Sequence, residues 1–498
     1  MSDKGKTHAM ANSFKDTGML FQMWKYKLAR MRGLIILVCL ITSSGTGRAQ
    51  PARYDSLGIP SLMKEAHVVG LSMAVVEKGA IVWAKGFGVR SSIAKLPVNE
   101  NTVFEAASLS KPIFAYAVLQ LVDAGVLDLD APLADVFEYA DLSTEPQYAD
   151  VTARMVLSHT SGLPNWRPRN GLLRFSAAPG SRFEYSGEGY VLLQRAIEHL
   201  TGESIESVIE ERVFTPLGMT SSSFVWQHRF VATVAIGHLA DGTALEKGTP
   251  KEPNAAFSLH TTSTDYARFL IAVMNGEGLS TEMNAAMRQA QADADAGMQW
   301  SLGWGIQTTE SGTALWHWGD NRGYKAFAIV YPKTRRGMVV LTNSDNGMLI
   351  LDALLDRTMG GGQPVVDWLG YDQYDDPAYQ VTQKLLAAFG EGGAAAAETA
   401  YHRLKNEGAF PAEAFEEDML NALGYRLLGD HKVEAAIAMF KLNVEQFPNA
   451  ANAYDSLGEA YMIHGDRQQA IENYERSVAL DPANDNGRAM LRRLRTSN

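Results

Sequence analysis

The sequence predicts an α+β fold: an antiparallel sheet flanked by helices, with an all-helical part beside it, followed by an α-solenoid tail. Three observations lead there. Short apolar, β-rich segments lie near both ends of residues 68–342, and helix-spaced segments fill the middle. Past residue 376 only helical patterns occur, and they recur at a fixed period. The chain has 498 residues and is 46% hydrophobic, too long for one ordinary domain and rich enough for large cores.

The first 49 residues read as a secretory signal peptide with an N-terminal extension. Lys25 to Arg32 is basic, residues 33–41 are an apolar run too short to span a bilayer, and Gly47 and Ala49 are the small residues that cleavage requires. Residues 1–22 do not resemble the start of such a peptide, so translation is expected to begin at Met23 or Met31. The competing reading is a buried N-terminal helix. The single cysteine, Cys39, lies in the apolar run, so a processed protein has no disulfide, thiolate metal site or cysteine nucleophile. Export to the periplasm or medium is the expectation, with no membrane span after processing. Residues 1–49 hold eight basic and two acidic residues, which leaves a body with 37 basic and 54 acidic ones. A body at −17 is a poor binder of nucleic acid or anionic membrane.

Residues 53–67 read as a helix. Residues 68–90 read as a hairpin around Lys78-Gly79. The apolar positions Phe114, Ala117, Val118 and Leu121 mark a helix that stops at Gly125. Residues 127–132 are a loop by composition, and 151–158 a short helix broken by Ser161-Gly162-Leu163-Pro164. Further helices are expected over 188–200, 205–214 and 264–274, ending at Gly202, Pro216 and Gly276. Residues 314–318, 326–331 and 338–342 read as antiparallel strands. Residues 360–376, rich in Gly, Pro and Asp, read as a linker.

In the tail, Gly424, Ala436, Phe440 and Pro448 recur as Gly458, Ala470, Tyr474 and Pro482, each 34 residues on. This pattern resembles the tetratricopeptide repeat. The small residues let paired helices approach, and the proline ends the second helix. Residues 379–406 read as a degenerate first repeat and 488–495 as a capping helix. Two repeats bury too little alone, so they must lean on the weak one or on the larger domain. A protein partner is the usual role of such a module.

The chemistry centres on Phe104-Glu105-Ala106-Ala107-Ser108-Leu109-Ser110-Lys111-Pro112. Pro112 cannot lie deep in a helix, so the helix must begin close to Ser108. A serine at a helix start sits among free backbone N–H groups, and Lys111 lies three residues on, on the same face. A desolvated lysine can serve as the base that a serine nucleophile needs. Ser-x-x-Lys alone says little, since Ser61–Lys64 and Ser92–Lys95 repeat it; the plain reading is a helix cap with a solvated lysine. Tyr185, in Tyr185-Ser186-Gly187 before a helix, offers a phenolate base or proton shuttle, or else a core tyrosine. His317-Trp318-Gly319-Asp320 follows a strand, where glycine lets a substrate lie close to the backbone; the plain reading is a strand end with a core histidine.

Taken in order, these three motifs resemble the serine β-lactamase and penicillin-binding superfamily, over about residues 52–357. The nearest branch is that of the class C β-lactamases, D-Ala-D-Ala carboxypeptidases and β-lactamase-like esterases. Leu157-Ser158-His159-Thr160-Ser161-Gly162-Leu163-Pro164 also resembles a segment of that branch. The resemblance implies Ser108 as acylated nucleophile, with Lys111 and Tyr185 sharing its proton. It implies an oxyanion hole from the backbone N–H groups of Ser108 and Asp320, and His317 near the substrate's carboxylate or carbonyl. His159 is expected to be structural. Gly187 replaces the family's asparagine that binds the acyl side chain, and His317 replaces the usual lysine. Both departures favour a peptidase or esterase over an efficient antibiotic hydrolase.

The expected organisation is a signal region over 1–49, a hydrolase domain over 50–359, a linker over 360–376 and a repeat region over 377–498. The expected activity is acyl transfer on a small-molecule or peptide substrate: D-amino-acid peptides, small esters or β-lactams, with no metal or cofactor. The alternative is a non-enzymatic sensor that keeps the fold while the repeats do the work.

Overall fold

The computed structural model describes residues 50–168, 171–295 and 297–496; the signal region lies outside them. The chain divides into two compact units, with the boundary between Tyr371 and Asp372.

The first unit is α+β. Its eight-stranded antiparallel sheet runs β2-β1-β10-β9-β8-β7-β6-β5. The hairpin is β1 (Gly70–Glu77) and β2 (Ala80–Gly88), with Lys78 and Gly79 both at positive φ in the turn, as a tight hairpin requires. The strands expected near residue 330 are β8 (Gly312–Asn321), β9 (Tyr324–Tyr331) and β10 (Arg336–Thr342). Because β10 pairs with β1, the sheet is assembled from the two ends of the unit. The short strands β5 (Ala292–Asp293), β6 (Gln299–Trp300) and β7 (Gly305–Thr309) extend it and carry too little pattern to be predicted.

β1 and β9 are buried along their whole length, so the sheet is covered on both faces. Adjacent residues of β10 show by what. A side chain at Gly337 would meet Met274 and Leu270, on the helix Ser263–Asn275. Next to it, the sulfur of Met338 accepts a hydrogen bond from Thr358, on the helix Leu351–Met359. Successive strand residues point to opposite faces, so the two helices sandwich the sheet.

The helical part surrounds α1 (Ser110–Asp123), which is buried nearly all round, as a central helix must be. It packs with α2 (Gly187–Thr201) and its neighbours in one continuous core. Several expectations need correction. The helix over 53–67 is two short ones, Gln50–Asp55 and Ile59–Glu65, parted at left-handed Gly58. The helix after the Ser-x-x-Lys motif begins at Ser110, close to Ser108 as expected, but a second small sheet that was not expected leads into it. There β3 (Phe104–Ala107) pairs with β4 (Leu259–Thr261). The stretch read as a linker is in large part structure of the first unit. It contains the helix Pro364–Leu369, buries Val365, and places Gln363 in hydrogen bonds with Gln307 and Tyr331.

The second unit is a stack of helix pairs. Pro377–Glu407 breaks at Gly392–Gly393, so the degenerate first repeat is itself two helices. Glu417–Gly429 with Val433–Gln446, and Ala451–His464 with Arg467–Leu480, are the two clear repeats, and Asp485–Thr496 follows as the capping helix. The recurring glycines are packing sites. A Cβ on Gly424 would fall 2.4 Å from the Phe440 ring, and one on Gly458 3.1 Å from Tyr474. Val381, Leu385, Tyr401 and Leu404 share one core with Leu420, Leu423 and Phe440, so the clear repeats do lean on the weak one.

Candidate active site

Ser108 sits at a forced corner. Ala107, the last residue of β3, has φ +48°, a left-handed conformation that costs an alanine about 1 kcal/mol. The corner is held by Ser110, whose hydroxyl donates to the Ala107 carbonyl (2.6 Å) and accepts from the Leu259 N–H (3.0 Å). The second serine of the motif is therefore a brace. It leaves the Ser108 side chain part-exposed at the head of α1, while Lys111 is fully buried below it.

The Lys111 ammonium nitrogen lies 3.1 Å from Ser108 Oγ and 2.9 Å from the carbonyl oxygen of Ala256. No carboxylate pairs with it among the described residues. Burial without a counter-charge disfavours the ammonium, and the lysine pKa falls to about 7. At neutral pH a good share of Lys111 is thus free amine beside the serine hydroxyl.

Tyr185 closes the other side, its ring 4.8 Å from the Lys111 nitrogen. Its phenol oxygen is buried and makes no hydrogen bond of good geometry, though Ser108 is close enough to draw its pKa partly down. Burial dominates and holds the phenol well above its ordinary value. Burial thus favours the neutral phenol over a phenolate, a form suited to passing a proton on. It is positioned from behind by His159. The imidazole packs 4.3 Å from the Tyr185 ring, and its Nδ1 accepts the N–H of Ser186 (3.0 Å). Ser186 in turn caps α2 by accepting from Gly189 (2.8 Å). One histidine so ties the loop 158–164 to the start of α2, with Tyr185 between them.

His317 is fully buried on β8. Its Nδ1 lies 2.8 Å from the Trp318 carbonyl, which can only accept, so the ring proton is on Nδ1 and Nε2 is a bare acceptor without a partner. Burial, with the nearby Lys111 charge second, lowers its pKa to about 3. It carries no charge at neutral pH. Gly319 lets β8 approach β3: a Cβ there would fall 2.3 Å from the Ala106 carbonyl oxygen. That contact brings the Asp320 end of β8 alongside the Ser108 corner, on the stretch beyond Trp316 where β7 no longer pairs with β8.

The place that Gly187 leaves is filled. A Cβ on Gly187 would meet the Trp166 ring at 2.6 Å, and its N–H donates to the Asn165 side chain (3.1 Å). Trp166 in turn packs edge-on against Phe257, next to the Ala256 carbonyl that binds Lys111. The sequence reading missed Ser110, Asn165, Trp166 and Ala256. Only Ser110 had a local signal, its place inside the motif.

The Beta-lactamase family model matches residues 59–357, the span that contains every residue just described. The chain belongs to the β-lactamase family. A tetratricopeptide repeat model matches residues 451–484, the second clear repeat. Among curated relatives of the family, penicillin-binding protein 4 of Amycolatopsis lactamdurans is 31% identical over 298 residues, 53% of this chain and 75% of that protein. Two solved structures share the fold. A class C β-lactamase aligns at TM-score 0.56 and 21% identity, over 63% of this chain and 98% of that one. The D-alanine carboxypeptidase AmpC of Burkholderia cenocepacia aligns at 0.52 and 20%, over 59% and 94%.

Proposed function

We propose that this β-lactamase-family protein is a serine hydrolase that works through an acyl-enzyme on Ser108. The observation that carries the proposal is the buried, carboxylate-free Lys111 nitrogen 3.1 Å from the serine oxygen. In the forward step the free amine of Lys111 takes the Ser108 proton as Oγ bonds to the acyl carbon. The backbone N–H groups of Ser108 and Asp320 receive the oxyanion. Tyr185 relays the proton to the leaving amine or alcohol as the scissile bond breaks. Water then attacks the ester, gives its proton back through the same pair, and Ser108 leaves as the hydroxyl. An activated serine needs neither metal nor cofactor for this.

The substrates that fit are amides or esters: a D-amino-acid peptide, a small ester or, less efficiently, a β-lactam. Neutral His317 offers no fixed cation for a carboxylate, and the Trp166–Phe257 pair stands where an amide would bind the acyl side chain. Both features favour a peptidase or esterase of loose specificity over an efficient antibiotic hydrolase. The protein acts after export, and its repeats hold a protein partner.

Two experiments test this. A fluorophosphonate or penicillin probe labels the wild type and not Ser108→Ala; no adduct on the wild type points to a non-enzymatic sensor, and labelling of the variant points to another serine. A panel of nitrocefin, a p-nitrophenyl ester and a D-Ala-D-Ala peptide then ranks the substrates, with the ester expected to turn over fastest.

A further inference from the structure

The residues just before the repeats add a wall to the site that no sequence motif marks. The helix Pro364–Leu369 brings Trp368 against Trp316 and Trp318, with ring centroids 5.2 and 5.6 Å apart. Two residues on, Tyr371 donates its hydroxyl to Asp320 Oδ2 at 2.6 Å. The other carboxylate oxygen, Oδ1, lies 2.8 Å from the ammonium of Lys325, its cross-strand neighbour on β9. Lys325 is anchored in turn by Asp345 at 2.9 Å. The Asp320 side chain is thus held at both oxygens, one by the sheet and one by the segment that leads out of the unit.

Holding a strand residue's side chain at two points fixes the rotation of its peptide about the strand axis. That rotation aims the backbone N–H. We propose that Tyr371 is a positioning residue for catalysis, which sets the Asp320 N–H of the oxyanion hole through the Asp320 carboxylate. The inference rests on the acyl-enzyme reading above. The Trp318 ring, against which Trp368 packs, lies 4.8 Å from the Tyr185 ring, so the same segment also backs the proton relay. Tyr371 is the last residue of the first unit, and the first helix of the repeat region begins at Pro377.

The test uses the full-length protein. Tyr371→Phe keeps the ring and deletes only the hydroxyl. With a p-nitrophenyl ester, kcat is expected to fall about tenfold with KM within twofold, because an oxyanion contact acts in the transition state. The rate of Ser108 labelling falls in parallel, and the melting temperature serves as a check on folding. In an Asp320→Ala background the same change is expected to cost nothing further, since its route is already cut. Wild-type kcat in Tyr371→Phe, a loss confined to KM, or an undiminished tenfold loss in the Asp320→Ala background would each overturn the proposal. Those results leave wild-type labelling intact and so are distinct from failure of the acyl-enzyme reading, which shows as no labelling at all.

Discussion

In the proposed mechanism Lys111 carries the chemistry because, among the described residues, no carboxylate pairs with it. A lysine with a pKa of about 7 is half free amine at neutral pH, and the hydroxyl it faces is 3.1 Å away. The same burial costs stability. The unfolded chain binds a proton on this lysine below about 10.5, whereas the folded chain does so only below about 7. Between these values the unfolded state holds more protons, so stability rises with pH across that window. Lys111→Met is therefore expected to be inactive yet more stable than the wild type at pH 7, with the gap narrowing towards pH 10; equal melting temperatures at pH 7 would count against a strained lysine. In the proposed mechanism Tyr185 is a neutral relay, so Tyr185→Phe is expected to slow acylation or deacylation by at least about 10²-fold; near-normal turnover in stopped-flow assays would remove it from the mechanism. Gly187→Asn restores the residue common in the family, but here its Cβ meets the Trp166 ring. It should lower the melting temperature, and the paired change Trp166→Ala should recover only part of the loss, because the Asn165 backbone carbonyl still lies 2.9 Å from the new Cβ.

The elements that place these groups were legible to different degrees. The hairpin at Lys78-Gly79, the strands β8 to β10 and the helices α1 and α2 follow from periodicity, glycine stops and turn residues. β3 and β4 did not, because three or four residues give no period to read, and what makes them strands is each other. Their consequence is the corner at Ala107, which puts Ser108 before the helix and not within it. Ser108, Lys111 and Tyr185 stand out in the sequence through three motifs in order, and the fold brings them together. Trp166, Ala256 and Tyr371 do not stand out, since each reaches the site through tertiary packing alone. His159 was read as structural, and its bond to Ser186 N–H gives that reading a mechanism: it holds Tyr185 in place. The same reasoning explains the misjudged linker, whose Gly, Pro and Asp content hid a short helix with buried Val365 and a tryptophan cluster.

The molecule as a whole joins a β-lactamase-family unit to a stack of helix pairs, and the boundary between the two compact units falls after Tyr371 rather than at residue 359. Removing everything after Tyr371 is expected to leave ester hydrolysis within a few-fold of normal. Removing everything after residue 359 also takes Val365, Trp368 and Tyr371, and it should give insoluble or inactive protein; full activity from the shorter form would show that this segment is only a tether. Among the described residues no helix is long and apolar enough to cross a membrane. All of these expectations depend on one proton transfer, from Ser108 to an uncharged amine. Its most direct measure is the rate of Ser108 acylation by a small ester probe, followed by intact mass across pH 5.5 to 9. The rate is expected to climb with pH through about 7 and then level, as Lys111 gives up its proton. A rate that is flat across that range, or one that falls, would contradict it.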